Sequence, residues 1–460
     1  MNLSAQSTAA GLPMPGRRGK QGLDRPRPGL LRRLALLVLT FFCVLPMQFQ
    51  VGSRGMGLAI LILGLLSIGF FLERLHNDRL GKYEGQIIAL LLILTTVFLL
   101  GAVRVGVKDT AMLVQSIYGI VMLCGFMSLA QQYARAYGDC FVDAALKHIL
   151  LIGVLHAILQ AIILLSAPVS QAIYSVIFLS EEAKIHISQG YRSPGLFSLG
   201  AAILGTFNAL VLVAGVLTLL RPENRPSWVS VIVVALAVLI QIAGIAISGR
   251  TGFVVVMLFG AALAARGLLD RRYPLVGLNV FKVILVLQLL LLGSLAFIDV
   301  ESIEANLQWS FEFIFSLIEG RGLETQSTSM LFEEMFFLPD TAWELLIGTG
   351  NFGRSADLPY IDSDPGYILM IFGGGLFGTL LAMSFFALIF WQSFCLRCHH
   401  RAVAFFIQFS VVAIFILNLK DFYFLQNSGV TQILLFSHAL LLTARHRHAR
   451  QAARQRLQDH

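Results

Sequence analysis

Charge is scarce in this chain: 13% of its 460 residues are charged, 57% are hydrophobic and the mean hydropathy is +0.78. Soluble globular domains carry about a quarter charged residues, so that class is excluded. Cysteine is scarce too, and the five present, Cys43, Cys124, Cys140, Cys395 and Cys398, make no disulfide framework. Cys395 to His399 reads CLRCH, a spacing known from covalent haem attachment and, with His400, from zinc sites. The segment falls in a short basic loop on the cytoplasmic side, where such haem is not attached, so a plain interhelical loop is expected. No internal repeat argues for an inverted-repeat transporter. No small-residue cleavage pattern follows the first apolar run, so that run is expected to act as its own signal anchor.

What the chain does have is apolar runs of about 16 to 25 residues, each long enough to approach the thickness of a bilayer. They lie near 34–50, 57–72, 86–103, 111–130, 147–167, 199–220, 228–247, 252–266, 278–298, 367–391, 403–418 and 424–443. The expectation is an all-α integral membrane protein of about twelve transmembrane helices. Residues 1–33 and 444–460 would be basic tails, 34–298 would hold nine helices, 299–364 a large helical outer loop, and 365–443 the last three helices. With both termini inside, the inner segments hold 25 of the 34 Lys and Arg and the outer ones 9, whereas acidic residues divide 9 inside and 17 outside. That asymmetry predicts cytoplasmic termini. The basic tails then read as orientation signals that meet membrane lipid, and nucleic acid is not an expected partner.

Arg250, in the SGRTG turn Ser248–Gly252, stands between two uncharged runs. The next cation is Arg266, about 24 Å further along a helix, less than the roughly 30 Å hydrocarbon layer. A guanidinium at such a depth is costly without partners and marks a site for an anionic group.

Only two outer loops are long. The first, Ala167 to Ser198, contains His186 and then QGYRSPGLFS from Gln189 to Ser198, which carries Arg192; the second, Asp299 to Asp364, holds 13 acidic residues against Arg321 and Arg354. Leu307, Phe311, Ile314 and Ile318 have helical spacing, Met330 to Leu338 reads as a second helix, and Thr341 with Glu344 has the form of a capping box ended by Gly348. This loop is expected to be a helical cover. Asp364 followed by Pro365 has the pattern of an N-cap with proline at the first helical position, and Asp364 or Asp362 can equally accept a hydrogen bond from a sugar hydroxyl. Lys420 and Asp421 adjoin each other and read either as a neutralising pair or as part of a site.

The order SGRTG, then IGTG ending at Gly350, then SDPGY entering a helix with the Gly-rich middle GGGLFG (Gly373–Gly378) resembles the bacterial O-antigen polymerase and ligase family of membrane glycosyltransferases. The resemblance implies transfer of a glycan from undecaprenyl diphosphate to a hydroxyl at the periplasmic face of the inner membrane. It implies no metal or cofactor. The expected partners are the undecaprenyl-diphosphate-linked oligosaccharide, membrane lipid and a chain-length regulator. Arg250 and Arg192 are the expected phosphate-binding catalytic groups, because a guanidinium binds phosphate oxygens through paired hydrogen bonds, and Asp364 is the expected acceptor of a proton. Arg104, Gly348, Gly350, Arg354, Asp362, Tyr367, Lys420 and Asp421 are candidates for substrate binding. Ligases of this family carry a loop histidine, and residues 299–364 contain none, which favours a polymerase. The alternatives are an O-antigen ligase and a flippase of the same lipid-linked glycan, although a flippase should spread polar groups through both leaflets.

Overall fold

The computed structural model describes residues 28–52, 54–77, 80–188, 192–198, 200–219, 228–269, 331, 333–353 and 357–458. The described chain is mostly helical. In order come α1 (Leu30–Val44), β1 (Gln48–Val51), β2 (Arg54–Gly57), α2 (Leu58–Asn77), α3 (Lys82–Arg104), α4 (Ala111–Tyr137) and α5 (Phe141–Leu165). Then follow α6 (Ala167–Tyr174), α7 (Glu181–Ser188), α8 (Ala201–Leu219), α9 (Trp228–Ser248) and α10 (Thr251–Leu269). The last four are α11 (Ala342–Ile347), α12 (Gly366–Leu396), α13 (Arg401–Leu417) and α14 (Val430–Gln458).

Four stretches among the described residues are long and apolar enough to cross a bilayer: Lys82–Arg104, Ala111–Leu165, Trp228–Ser248 and Gly366–Leu396. The second is a hairpin, since α4 and α5 are separated by the 3-10 turn Gly138–Cys140. Ala202–Thr218, Thr251–Ala265 and Arg401–Leu417 are apolar but shorter. The chain is therefore a helical membrane protein, and among the described residues fewer helices reach full spanning length than the apolar runs suggested. The expected ninth helix, 278–298, and the amphipathic helix through Leu307 and Ile318 lie outside the described residues.

Burial runs in the order a bilayer imposes. Every residue of α14 from Val430 to Ala444 is buried, so this helix is the axis of the bundle. On the rim, Leu65 of α2, Leu100 of α3 and Val229 of α9 are exposed apolar side chains that suit lipid contact.

Three local departures from the expected pattern shape the site. The first apolar run stops at Val44 because Pro46 disfavours helix in the residue before it, and β1 and β2 form an antiparallel hairpin instead. The edge of β1 is not left open: Gln50 N donates to Val176 O at 2.9 Å and Phe178 N donates to Gln48 O at 2.8 Å, tying the hairpin to the segment after α6. The last apolar run does not become helix at 424. Residues 418–429 form a loop, with Phe422, Tyr423, Phe424 and Leu425 buried, and α14 starts only after Gly429, whose φ is +75°. Finally, α12 is broken in its middle, where Gly375 has φ 65° and ψ −175°.

Candidate functional site

The break in α12 frees backbone groups inside the bundle, and in a membrane such groups must find partners within the protein. The turn that follows α11 supplies them. Thr349 N donates to Phe372 O at 2.6 Å, Thr349 Oγ1 donates to the same oxygen at 2.8 Å, and Gly350 N donates to Gly373 O at 3.0 Å. Contact is so close that a Cβ on Gly348 would lie 2.5 Å from Gly373 O, and one on Gly350 would lie 2.8 Å from Gly101 O. Both glycines also need positive φ, 82° and 84°. Two charged side chains hold the turn from outside: Arg104 Nη1 donates to Gly348 O at 2.6 Å, and Asp109 Oδ2 accepts from Phe352 N at 2.9 Å while its Oδ1 accepts from Ala111 N at 3.0 Å. The expected capping box is present, with Glu344 N donating to Thr341 Oγ1 at 3.2 Å at the start of α11. Of the helix expected over Met330–Leu338, Leu331, Glu333 and Glu334 are helical and residues 335–338 are not.

A second assembly forms where three distant segments meet. Lys420, in the buried-loop region 418–429, lies within the electrostatic reach of Arg250, Asp421, Arg192 and Asp364. It retains accessible surface although it is densely surrounded by protein, the situation of a group on the wall of a concavity. That crowding, first, and the two guanidiniums, second, push its ammonium below the ordinary lysine value, while Asp421 and Asp364 pull it back. Three cations against two carboxylates leave one net positive charge. Arg104 is not among the groups acting on Lys420; it serves the GTG turn instead. Arg354 lies outside the described residues.

The two arginines are positioned by one buried side chain. Gln160 on α5 donates through Nε2 to Ser193 O at 2.8 Å, next to Arg192, and to Ser248 Oγ at 2.9 Å, two residues before Arg250. Asn208 on α8 donates to Ser248 Oγ at 3.1 Å and to Gln160 Oε1 at 3.4 Å, and Ser248 Oγ donates onward to Gly244 O at 2.5 Å. His156, one helical turn from Gln160, accepts from Leu196 N at 3.3 Å and so fixes the far side of the Arg192 loop. The SGRTG turn presses on α8 so closely that a Cβ on Gly252 would lie 2.5 Å from Gly205 O. Gln160, His156, Asn208 and Asp109 did not figure among the expected site residues. For Gln160, His156 and Asn208 the legible signal was a polar side chain inside an apolar run, which also marks ordinary helix packing, whereas Asp109 sits in the loop between two runs.

Asp364 is exposed, and the N-cap position of α12 falls one residue later than expected, on Pro365, with no side-chain cap. The reason is the packing of Gly366: a Cβ there would lie 2.9 Å from Asp421 O, and Ile368 N bonds Pro365 O at 3.0 Å, so the helix opens against the 418–429 loop. Asp362 is exposed too, beside buried Ser363, whose Oγ donates to Met335 O at 2.9 Å. Tyr367 is turned inward and donates to Phe415 O at 2.7 Å. The 418–429 loop is held by its own polar groups: Asn418 Oδ1 accepts from Tyr423 N at 3.0 Å, Asp421 Oδ1 from Phe422 N at 2.7 Å, and Gln432 Oε1 from Gly429 N at 2.5 Å.

Among the described residues no three His, Cys, Asp or Glu side chains gather as a metal site. Chemically, the Lys420 assembly can hold a multiply charged anion on three cations, with the Asp364 carboxylate near Lys420 and not engaged in capping α12. Comparison of the chain with family models, with curated proteins and with solved structures gives no match.

Proposed function

We propose that this chain is the polymerase of a lipid-linked surface polysaccharide in the bacterial inner membrane, crossing it twelve times with both termini in the cytoplasm. One observation carries the reading: Arg250, Arg192 and Lys420, from three segments far apart in sequence, converge with Asp364 and Asp421 at one end of an apolar bundle. With three cations against two carboxylates the assembly is net positive, which favours binding of an anion there.

In this reading the diphosphate of an undecaprenyl-linked glycan lies against Arg250 and Arg192, with Lys420 beside them. A sugar hydroxyl of a second lipid-linked unit attacks the anomeric carbon. Its oxygen forms the new glycosidic bond, the bond from that carbon to the diphosphate breaks, and the hydroxyl proton passes to the Asp364 carboxylate. Charge on the departing diphosphate grows as the bond breaks, so cations fixed in advance stabilise the transition state more than the ground state. Gln160 contributes by holding both arginine-bearing segments to one buried amide.

Deletion of the gene tests the reaction. Single repeat units left on the carrier or its final anchor support the polymerase. Long lipid-linked polymer that never reaches an acceptor would make the chain a ligase, and units retained on the cytoplasmic face would make it a flippase. Orientation has a separate test. A cysteine at exposed Lys108 should react with a membrane-impermeant thiol reagent in cells with a permeabilised outer membrane, whereas exposed Cys395 and Cys398 should not; the reverse pattern overturns the topology.

A further inference from the structure

The other end of the bundle carries a second concentration of cations that the proposed reaction does not use. From Val430, near the Lys420 loop, to Arg450 is 20 residues of α14, or about 30 Å of helix. There a cleft of about 430 Å³ opens between α2, α4 and the last turns of α14. Thr443, His446, Arg447, Arg450, Gln451 and Arg454 line it, and their spacing of three and four residues places them on one face of the helix. Arg74 of α2 and Arg135 of α4 face them across the cleft.

Most of these cations have partners. Arg135 pairs with Glu73 at 2.8 Å, Arg447 pairs with Asp139 at 3.0 Å and also donates to Ala134 O at 2.6 Å, and His446 and Arg74 share the buried Glu84 at 2.9 and 3.7 Å. These bonds pin the wall of the cleft. Arg450 and Arg454 are different: both are exposed, both line the cleft, and neither has a partner among the described residues. Two like charges one turn apart repel, and they do so beside three further arginines. An anion with several acceptor oxygens would relieve that repulsion.

We propose that this cleft binds a phosphate-bearing anion, supplied as the headgroup of an anionic phospholipid at the membrane surface. One wall is the end of α4, which belongs to a stretch long and apolar enough to cross a bilayer, so a headgroup reaches the cleft while its acyl chains stay in lipid. Phosphate also matches the donors: Arg450 and Arg454, one turn apart on the same face of α14, offer guanidinium N–H groups in pairs, and phosphodiester oxygens accept them.

The test uses the full-length protein in neutral detergent and follows Tm as phosphatidylglycerol, phosphatidylcholine or inorganic phosphate is added. Wild type should show a saturable, dose-dependent rise in Tm with phosphatidylglycerol, and native mass spectrometry should find that lipid retained in preference to phosphatidylcholine. The double variant Arg450→Gln, Arg454→Gln should bind at least tenfold more weakly at unchanged starting Tm, and Arg456→Gln, on α14 but outside the cleft, should behave as wild type. An equal rise with inorganic phosphate at comparable concentration keeps the anion site and assigns its source to solution. An equal response to phosphatidylcholine, a double variant that responds as wild type, or an equal loss in Arg456→Gln overturns the proposal.

Discussion

At the two ends of this bundle, cations are used in opposite ways. Around the cleft they sit mainly on helices and most are matched by carboxylates, as in Arg135 with Glu73 at 2.8 Å and His446 with Glu84 at 2.9 Å. Around Lys420 they come from loops and helix-to-helix turns, crowd one another, and lower the proton affinity of the lysine. One end spends most of its arginines on joining helices and leaves Arg450 and Arg454 over. The other gathers three cations around two carboxylates, which suits an anionic ligand. Mutations should therefore separate the ends: at the paired end stability falls and activity per folded molecule holds, while at the crowded end activity falls and stability holds or rises.

The largest effect is expected at Arg250. Arg250→Ala should abolish polymer while the protein still inserts, and Arg250→Lys should reduce turnover roughly ten- to a hundredfold, because losing one charge-assisted hydrogen bond costs about 1.5 to 3 kcal/mol. Polymer length on a gel, read beside the amount of protein in the membrane, decides it. Wild-type polymer from Arg250→Ala would remove the contrast between the ends.

Next come two glycines that test backbone rather than charge. Gly348→Ala forces a side chain onto φ 82° and onto Gly373 O, so a loss on the order of 1 to 3 kcal/mol and a clear drop in folded protein are expected. Gly85→Ala, in α3 at the paired end with nothing within 4 Å, should be neutral or stabilising by up to about 1 kcal/mol. Thermal unfolding of the two variants side by side is the measurement; equal losses would mean that the GTG turn is not what holds the break in α12.

Arg447→Ala should lower Tm by roughly 2 to 4 °C, as expected for about 1 kcal/mol from a partly exposed ion pair and a cation at a helix C-terminus. Polymer made per folded molecule should stay at the wild-type level, and a loss there would show that the ends are coupled.

The smallest effect is at Lys420. Its folded pKa is depressed, so between that pKa and the ordinary lysine value the unfolded chain binds more protons than the folded one, and stability rises with pH across that window. Lys420→Met should remove this rise and leave Tm at neutral pH unchanged or about a degree higher, while reducing polymer. A fall in Tm would instead make Lys420 and Asp421 a structural pair.

Several of these features were legible in the chain itself. Apolar runs placed helices at Trp228–Ser248 and Lys82–Arg104 to within a few residues, since burying an uncharged backbone in lipid permits little else. The capping box at Thr341 and Glu344 was local chemistry and appears as written. Isolation in sequence singled out Arg250 and Arg192 as candidates, and both act on Lys420. Tertiary structure decided the rest, because each remaining feature joins residues far apart in the chain. The β1 edge finds its partner at 176–178, the 418–429 run leaves the helix to pack inside the bundle, and the α12 break is filled by a turn more than twenty residues upstream. No local pattern shows that Gln160 bonds both Ser193 and Ser248, or that Arg104 serves Gly348 rather than the Lys420 assembly. Hydropathy fixes which segments enter the membrane, one run at a time, whereas the convergence of charges at one end depends on which helices lie side by side.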